Sequence, residues 1–134
     1  MLHILVIDDD KLVCEATQIL LRGRGYLVTV AHNGESGIEA LRAGSFDLAI
    51  VDLFMPGMNG MKVIEAIREL NRTIPVIAAS GFMFGGECPP MPGFETMATE
   101  AGAVATLYKP FRPNEVLQAI EQAIGTLPLS HSGL

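Results

Sequence analysis

The 134-residue sequence predicts a doubly wound α/β fold, a three-layer sandwich of a five-stranded parallel sheet covered on both faces by five helices. Three observations predict it. Short apolar runs of strand length recur along the chain, several without strict polar alternation, the pattern of strands buried on both faces. Apolar residues at helical spacing fill the intervals between these runs. Glycine and proline punctuate the joints, and right-handed crossovers then place helices on both sides of the sheet.

The first run, His3-Ile4-Leu5-Val6-Ile7, stops at Asp8-Asp9-Asp10. The helix after it carries Leu12, Val13, Ala16, Ile19 and Leu20 as its apolar face and should end at Gly23. Tyr26 to Val30 forms the second strand, and Ile38 and Leu41 mark a second helix closed by Gly44. Phe46 to Val51 is the third strand, followed by a helix with Val63, Ile64, Ile67 and Leu70 at helical spacing. Ile74 to Ala79 is the fourth, with Pro75 at its opening, where a missing donor is tolerable. Half of the stretch from Ser80 to Gly93 is Gly or Pro, so no helix can occupy its centre. The fourth helix is therefore short, about Phe94 to Ala101. Ala103 to Tyr108 is the fifth strand. Val116, Leu117, Ile120 and Ile124 define the last helix, with Pro113 near its start and Gly125 at its end. Residues 1–124 thus read as one domain and 125–134 as a C-terminal tail or linker stub.

Composition narrows the function. At 49% hydrophobic and 18% charged, one core can hold a chain of this length without disulfides. Cys14 and Cys88 read as small filler in a reduced, intracellular setting. A net charge of −6 disfavours direct nucleic-acid binding. The longest uncharged stretch, Thr73 to Gly86, is shorter than the ~18 to 20 apolar residues of a membrane span. The first residues lack a cationic leader, so no membrane and a cytoplasmic location are expected. No glycine-rich stretch ends in GK[ST], which removes an NTPase.

In an open parallel sheet the site lies beyond the carboxyl ends of the strands. Those ends carry Asp8-Asp9 on the first, Asp52 on the third, Ser80 on the fourth and Lys109 on the fifth. Carboxylates brought together there repel unless a cation neutralises them. All-oxygen ligands without His or Cys at metal spacing favour Mg²⁺ over Zn²⁺. Phosphoryl transfer needs such an ion, an oxygen nucleophile and groups that meet charge on the moving oxygens, and Asp52 can be that nucleophile. His3, His32 and His131 have surface or packing roles.

The ordered stretches Leu5 to Asp10, Asp52-Leu53-Phe54-Met55-Pro56-Gly57-Met58-Asn59-Gly60, Ala79-Ser80-Gly81 and Lys109-Pro110-Phe111 resemble the receiver domain of two-component response regulators, a flavodoxin-like fold. The resemblance spans Met1 to about Ile124. It implies that Asp52 accepts a phosphoryl group from a sensor histidine kinase or a histidine phosphotransfer protein. It further implies Mg²⁺ bound by Asp9, Asp52 and the Phe54 backbone carbonyl, with Asp8 acting through water. Ser80 and Lys109 would bind the phosphoryl group, and the Lys109-Pro110 bond is often cis in the family. The domain would catalyse its own phosphorylation and dephosphorylation and not be a turnover enzyme. Asp10 reads as a helix-terminal acid, not a ligand.

Two departures shape the expected output. Three residues before Lys109, where the family commonly has an aromatic switch, stands Thr106, with Tyr108 as a candidate substitute on the same strand face. The interval from Ser80 to Lys109 is long, and the apolar surplus around Phe82 to Phe94 reads either as a surface for an output protein or a homodimer, or as an insertion folded on its own core. In the family the side chains two residues beyond the acceptor and the hydroxyl residue control the attacking water, so the resemblance implies that Phe54 and Phe82 at these positions hinder it and lengthen the lifetime of the phosphorylated state. Two rivals remain. One is a receiver-like interaction module acting without phosphorylation. The other is an aspartate phosphohydrolase, whose DxDx[TV] signature fails at Leu12.

Overall fold

The computed structural model describes residues 2–55, 58–71, 73–80, 93–109 and 112–125. The elements run β1 (His3–Ile7), α1 (Lys11–Gly23), β2 (Leu27–Ala31), α2 (Gly34–Ala43), β3 (Leu48–Asp52), β4 (Phe54–Met55), β5 (Met58–Asn59), α3 (Gly60–Leu70), β6 (Val76–Ser80), α4 (Phe94–Ala101), β7 (Ala105–Tyr108) and α5 (Pro113–Ile124). The main sheet has the order β2-β1-β3-β6-β7, with every pairing parallel. This is the expected doubly wound sandwich. Because the chain leaves β1 for β2 on one side and reaches β3 on the other, a crevice opens at the carboxyl ends of β1 and β3.

Side-chain alternation along the strands builds two cores. Leu5, Ile7, Ala49, Val51, Val76 and Ala78 face α2, α3 and α4, where Ile38, Leu41, Val63, Ile64, Ile67 and Ala98 meet them. Ile4, Val6, Leu48, Ile50, Ile77 and Leu107 face α1 and α5, against Cys14, Leu21, Val116, Ala119, Ile120 and Ala123. All five residues of β3 and of β6 are buried, as central strands of such a sheet must be. No helix among the described residues is long and apolar enough to cross a membrane.

The helix ends follow the sequence signals. The Asp10 carboxylate accepts the N–H groups of Leu12 and Val13 and caps α1, and the Asn59 side chain accepts Met61 N–H and caps α3. The short fourth helix occupies Phe94–Ala101, as expected. Strands β2, β3 and β6 sit one to two residues later than their apolar runs begin, so Asp52 and Ser80 are the last strand residues and not the first loop residues.

The buried face of α1 differs from the expectation. Leu12 and Ile19 are 76% and 73% exposed and Ala16 is exposed, while Cys14, Thr17 and Leu21 are buried and Val13 and Leu20 half-buried. Positions 12, 16, 19 and positions 14, 17, 21 both satisfy helical spacing, so spacing could not choose between adjacent stripes. The polar Thr17 disguised the buried one. Leu70, in the last turn of α3, is likewise 43% exposed. The two-residue strands β4 and β5, which pair antiparallel, are too short to leave a periodic signal. The expectations for Phe82 and the rest of the 81–92 stretch, for Cys88 and His131, for the Lys109-Pro110 bond and for the tail beyond Gly125 fall outside the described residues.

Candidate functional site

Register brings the predicted residues together. Ile7 pairs with Val51, so the next residues, Asp8 and Asp52, leave neighbouring strands at the same level. Ser80 pairs with Tyr108, and Lys109 N–H, one residue on, donates to the Ser80 carbonyl at 2.7 Å. One carboxylate oxygen from each of Asp8, Asp9 and Asp52 lies within 4.8 Å of the other two. Asp8, Asp52 and Ser80 are buried and Asp9 is exposed, so the cluster has one ligand open to solvent.

Each oxygen of the two buried carboxylates has a partner. Asp8 Oδ1 accepts Asp10 N–H at 2.9 Å, and its Oδ2 meets Lys109 Nζ at 2.6 Å. Asp52 Oδ1 accepts Phe54 N–H at 3.1 Å, and its Oδ2 meets the same Nζ at 3.3 Å. Lys109 therefore bridges the two strands' carboxylates. Burial pushes the Asp52 carboxyl above its ordinary value, with the Asp8 charge adding to the rise and Lys109 and the Phe54 N–H opposing it. Burial alone would lower the Lys109 ammonium, but its hydrogen bond to Asp8 and the charge of Asp52 outweigh that and raise it. Lys109 is thus held cationic.

Three carboxylates and one ammonium leave two negative charges in excess, the charge that one divalent cation cancels. Hard oxygen donors, two buried and one open, suit a cation that keeps part of its water shell. The donor set therefore fits a Mg²⁺-like ion.

The backbone around Asp52 is held from behind. Leu53 N–H donates to Ala79 O at 2.9 Å, and Gly60 packs directly against the Asp52–Leu53 backbone. A Cβ at position 60 would lie 2.4 Å from Leu53 Cα and 2.8 Å from Asp52 O, so only glycine lets α3 start there. The Phe54 side chain is 47% exposed and lines an apolar groove of about 450 Å³ with Leu53, Met55, Asn59, Met61 and Met97.

Thr106 and Tyr108 lie on the sheet face toward α4, opposite to Ala105 and Leu107. Tyr108 donates its hydroxyl proton to Glu95 Oε2 in the first turn of α4 at 2.5 Å, and Thr106 hydrogen-bonds the same phenol. Burial, then the bond to Glu95, pushes this phenol up to about 12. The end of β7 is in this way tied to α4.

Two residues to which the sequence assigns only filler or packing roles, Cys14 and His32, belong to the site's surroundings. Cys14 Sγ donates to the Asp8 carbonyl at 3.2 Å, and His32 Nδ1 lies 3.4 Å from the same oxygen. Burial, followed by the Asp8 charge, pushes the Cys14 thiol up to about 12. The available signal was positional: His32 directly follows the strand that pairs with β1.

The response regulator receiver domain family matches residues 4–121. The transcriptional regulatory protein ZraR of Salmonella typhimurium is 34% identical over 125 residues, covering 92% of this chain and 26% of that protein. YkoG of Bacillus subtilis, named as an uncharacterized transcriptional regulatory protein, is 30% identical over 122 residues, covering 91% of this chain and 50% of its own length. The chain thus spans half or less of these relatives. A receiver domain protein described as CheY-like, from Methanospirillum hungatei, superposes with a TM-score of 0.82 at 26% identity, over 93% of this chain and 94% of that one.

Proposed function

This chain belongs to the response regulator receiver domain family, and from that membership and the acidic pocket we propose that it is a phosphorylation switch with Asp52 as the acceptor. The observation that carries the reading is the convergence of Asp8, Asp9 and Asp52 within 4.8 Å, with Lys109 bridging Asp8 and Asp52. A phosphohistidine on a sensor kinase or histidine phosphotransfer protein is the donor. An Asp52 oxygen forms the new O–P bond as the P–N bond breaks, and the leaving imidazole nitrogen keeps the electron pair and takes up a proton. Asp9, Asp52 and the Phe54 carbonyl would hold Mg²⁺, with Asp8 acting through water. The ion supplies positive charge that screens the pocket from the incoming phosphoryl oxygens.

Lys109, already fixed between Asp8 and Asp52, swings its charge onto a phosphoryl oxygen, and the Ser80 hydroxyl binds another. The chain's catalysis is confined to its own modification and hydrolysis. Residues 1–124 form the switching unit and 125–134 a tail or linker. Ser80, Thr106 and Tyr108 transmit the change: repositioning of Ser80 acts on its register partner Tyr108, and the Tyr108–Glu95 bond passes it to α4. Beside the pocket, exposed Leu12 and Ile19 on α1 offer the donor an apolar stripe. The output protein, joined to the chain or separate, reads the α4 side; the setting is cytoplasmic.

The test is intact mass after incubation with Mg²⁺ and a small phosphodonor. A single hydroxylamine-labile adduct, absent in Asp52→Ala, supports the switch. No adduct in the folded parent refutes it and leaves an interaction module acting without phosphorylation.

A further inference from the structure

Asp8 is held by more than its carboxylate. Its N–H donates to Ala31 O at 3.0 Å, at the end of β2. Its carbonyl oxygen faces two side chains from other elements, Cys14 Sγ of α1 at 3.2 Å and His32 Nδ1, just past β2, at 3.4 Å. The two side chains are 3.7 Å apart. Cys14 is 2% exposed, so its S–H turns to this carbonyl and not to water. With Nδ1 protonated, both side chains donate to the one oxygen, whose two lone pairs can accept both.

That oxygen belongs to the Asp8–Asp9 peptide. The peptide is planar, so whatever fixes the Asp8 carbonyl also fixes the Asp9 nitrogen and Cα, the point from which the Asp9 side chain departs. Asp9 itself is exposed, and the peptide behind it is where the fold can hold it in place. We propose that Cys14 and His32 are positioning residues of the acidic pocket, which orient the Asp8–Asp9 pair for a divalent cation through the Asp8 carbonyl. The inference rests on reading the Asp8, Asp9 and Asp52 cluster as a Mg²⁺ site.

The experiment titrates the folded protein with Mg²⁺ alone and follows the heat of binding and the thermal midpoint. Cys14→Ala and His32→Ala remove the donors, whereas Cys14→Ser and His32→Asn keep a donor of similar reach. Partners behind metal ligands are worth about 10- to 100-fold in affinity, and acting through backbone places these at or below the lower end. Each alanine should weaken Mg²⁺ binding by about fivefold to tenfold, with Cys14→Ser and His32→Asn within about twofold of the parent. His32 is exposed, so its pair decides the matter even if Cys14→Ala does not fold. Alanine variants that bind Mg²⁺ like the parent, or conservative variants as weak as the alanines, overturn the proposal. A parent that binds no Mg²⁺ overturns the metal reading itself and this proposal with it.

Discussion

Replacing Asp52 by its neutral isostere, Asp52→Asn, should stabilise the metal-free protein. At an effective dielectric of about 20, the Asp8 charge within 4.8 Å repels ionised Asp52 by about 3.5 kcal/mol, and solvent-screened Asp9 adds about half of that. Lys109 at 3.3 Å attracts it by about 5 kcal/mol. These effects nearly cancel, and the burial of the charge, several kcal/mol per ion, is left against one charge-assisted hydrogen bond from Phe54 N–H. The direction agrees with the raised Asp52 carboxyl. Asparagine retains an acceptor for Phe54 N–H and ends both the burial of charge and the repulsion. The expected gain is about 1 to 2 kcal/mol, or about 3 to 7 °C in the thermal midpoint of a domain this size, in EDTA at pH 7 and low salt. The raised pKa means that stability from the neutral carboxyl is fully present below the unfolded value near 3.8 and is lost as pH rises through the folded one. The gap between Asp52→Asn and parent should therefore close as pH falls toward 4. A variant that melts lower than the parent in EDTA would show instead that the Lys109 attraction outweighs the burial of the charge.

Lys109→Met leaves two buried carboxylates without their cation and should destabilise by about 2 to 4 kcal/mol, with Mg²⁺ restoring part of the loss in melting experiments. Because the Lys109 pKa is raised, its stabilising contribution is fully present below 10.5 and declines as pH rises through the folded value. Gly60→Ala drives a Cβ into the Leu53 backbone and should lower stability by about 1 to 3 kcal/mol in denaturant unfolding, with weaker phosphorylation of Asp52. Phenolate absorbance of the native protein should show one tyrosine ionising only near 12, a component missing in Tyr108→Phe.

The sheet was legible because its central strands are buried on both faces, which leaves apolar runs in the sequence, and because polar residues at their ends have few other reasons to interrupt such runs. Asp10 was readable as a helix-terminal acid from its place before Lys11–Gly23, with the capping hydrogen bonds added by the structure, and the short α4 from the glycines and prolines before it. What escaped was decided by tertiary contact. Leu12 and Ile19 have the spacing of a core stripe, and only the docking of α1 on the sheet shows that Cys14, Thr17 and Leu21 take that place. The link from Tyr108 to Glu95 crosses from strand to helix, and the convergence of Cys14 and His32 on one backbone oxygen joins three elements; neither leaves a local pattern.

The proposed role of the acidic pocket is to make Asp52 the phosphoryl acceptor. Borohydride reduction of the protein phosphorylated by a small donor in Mg²⁺, followed by peptide mapping, tests it most directly, since an acyl phosphate is reduced to an alcohol where it stands. A reduced side chain is expected at position 52 alone, with none when Mg²⁺ is replaced by EDTA. Reduction at Asp8 or Asp9, or no reduction in the folded protein, would contradict it.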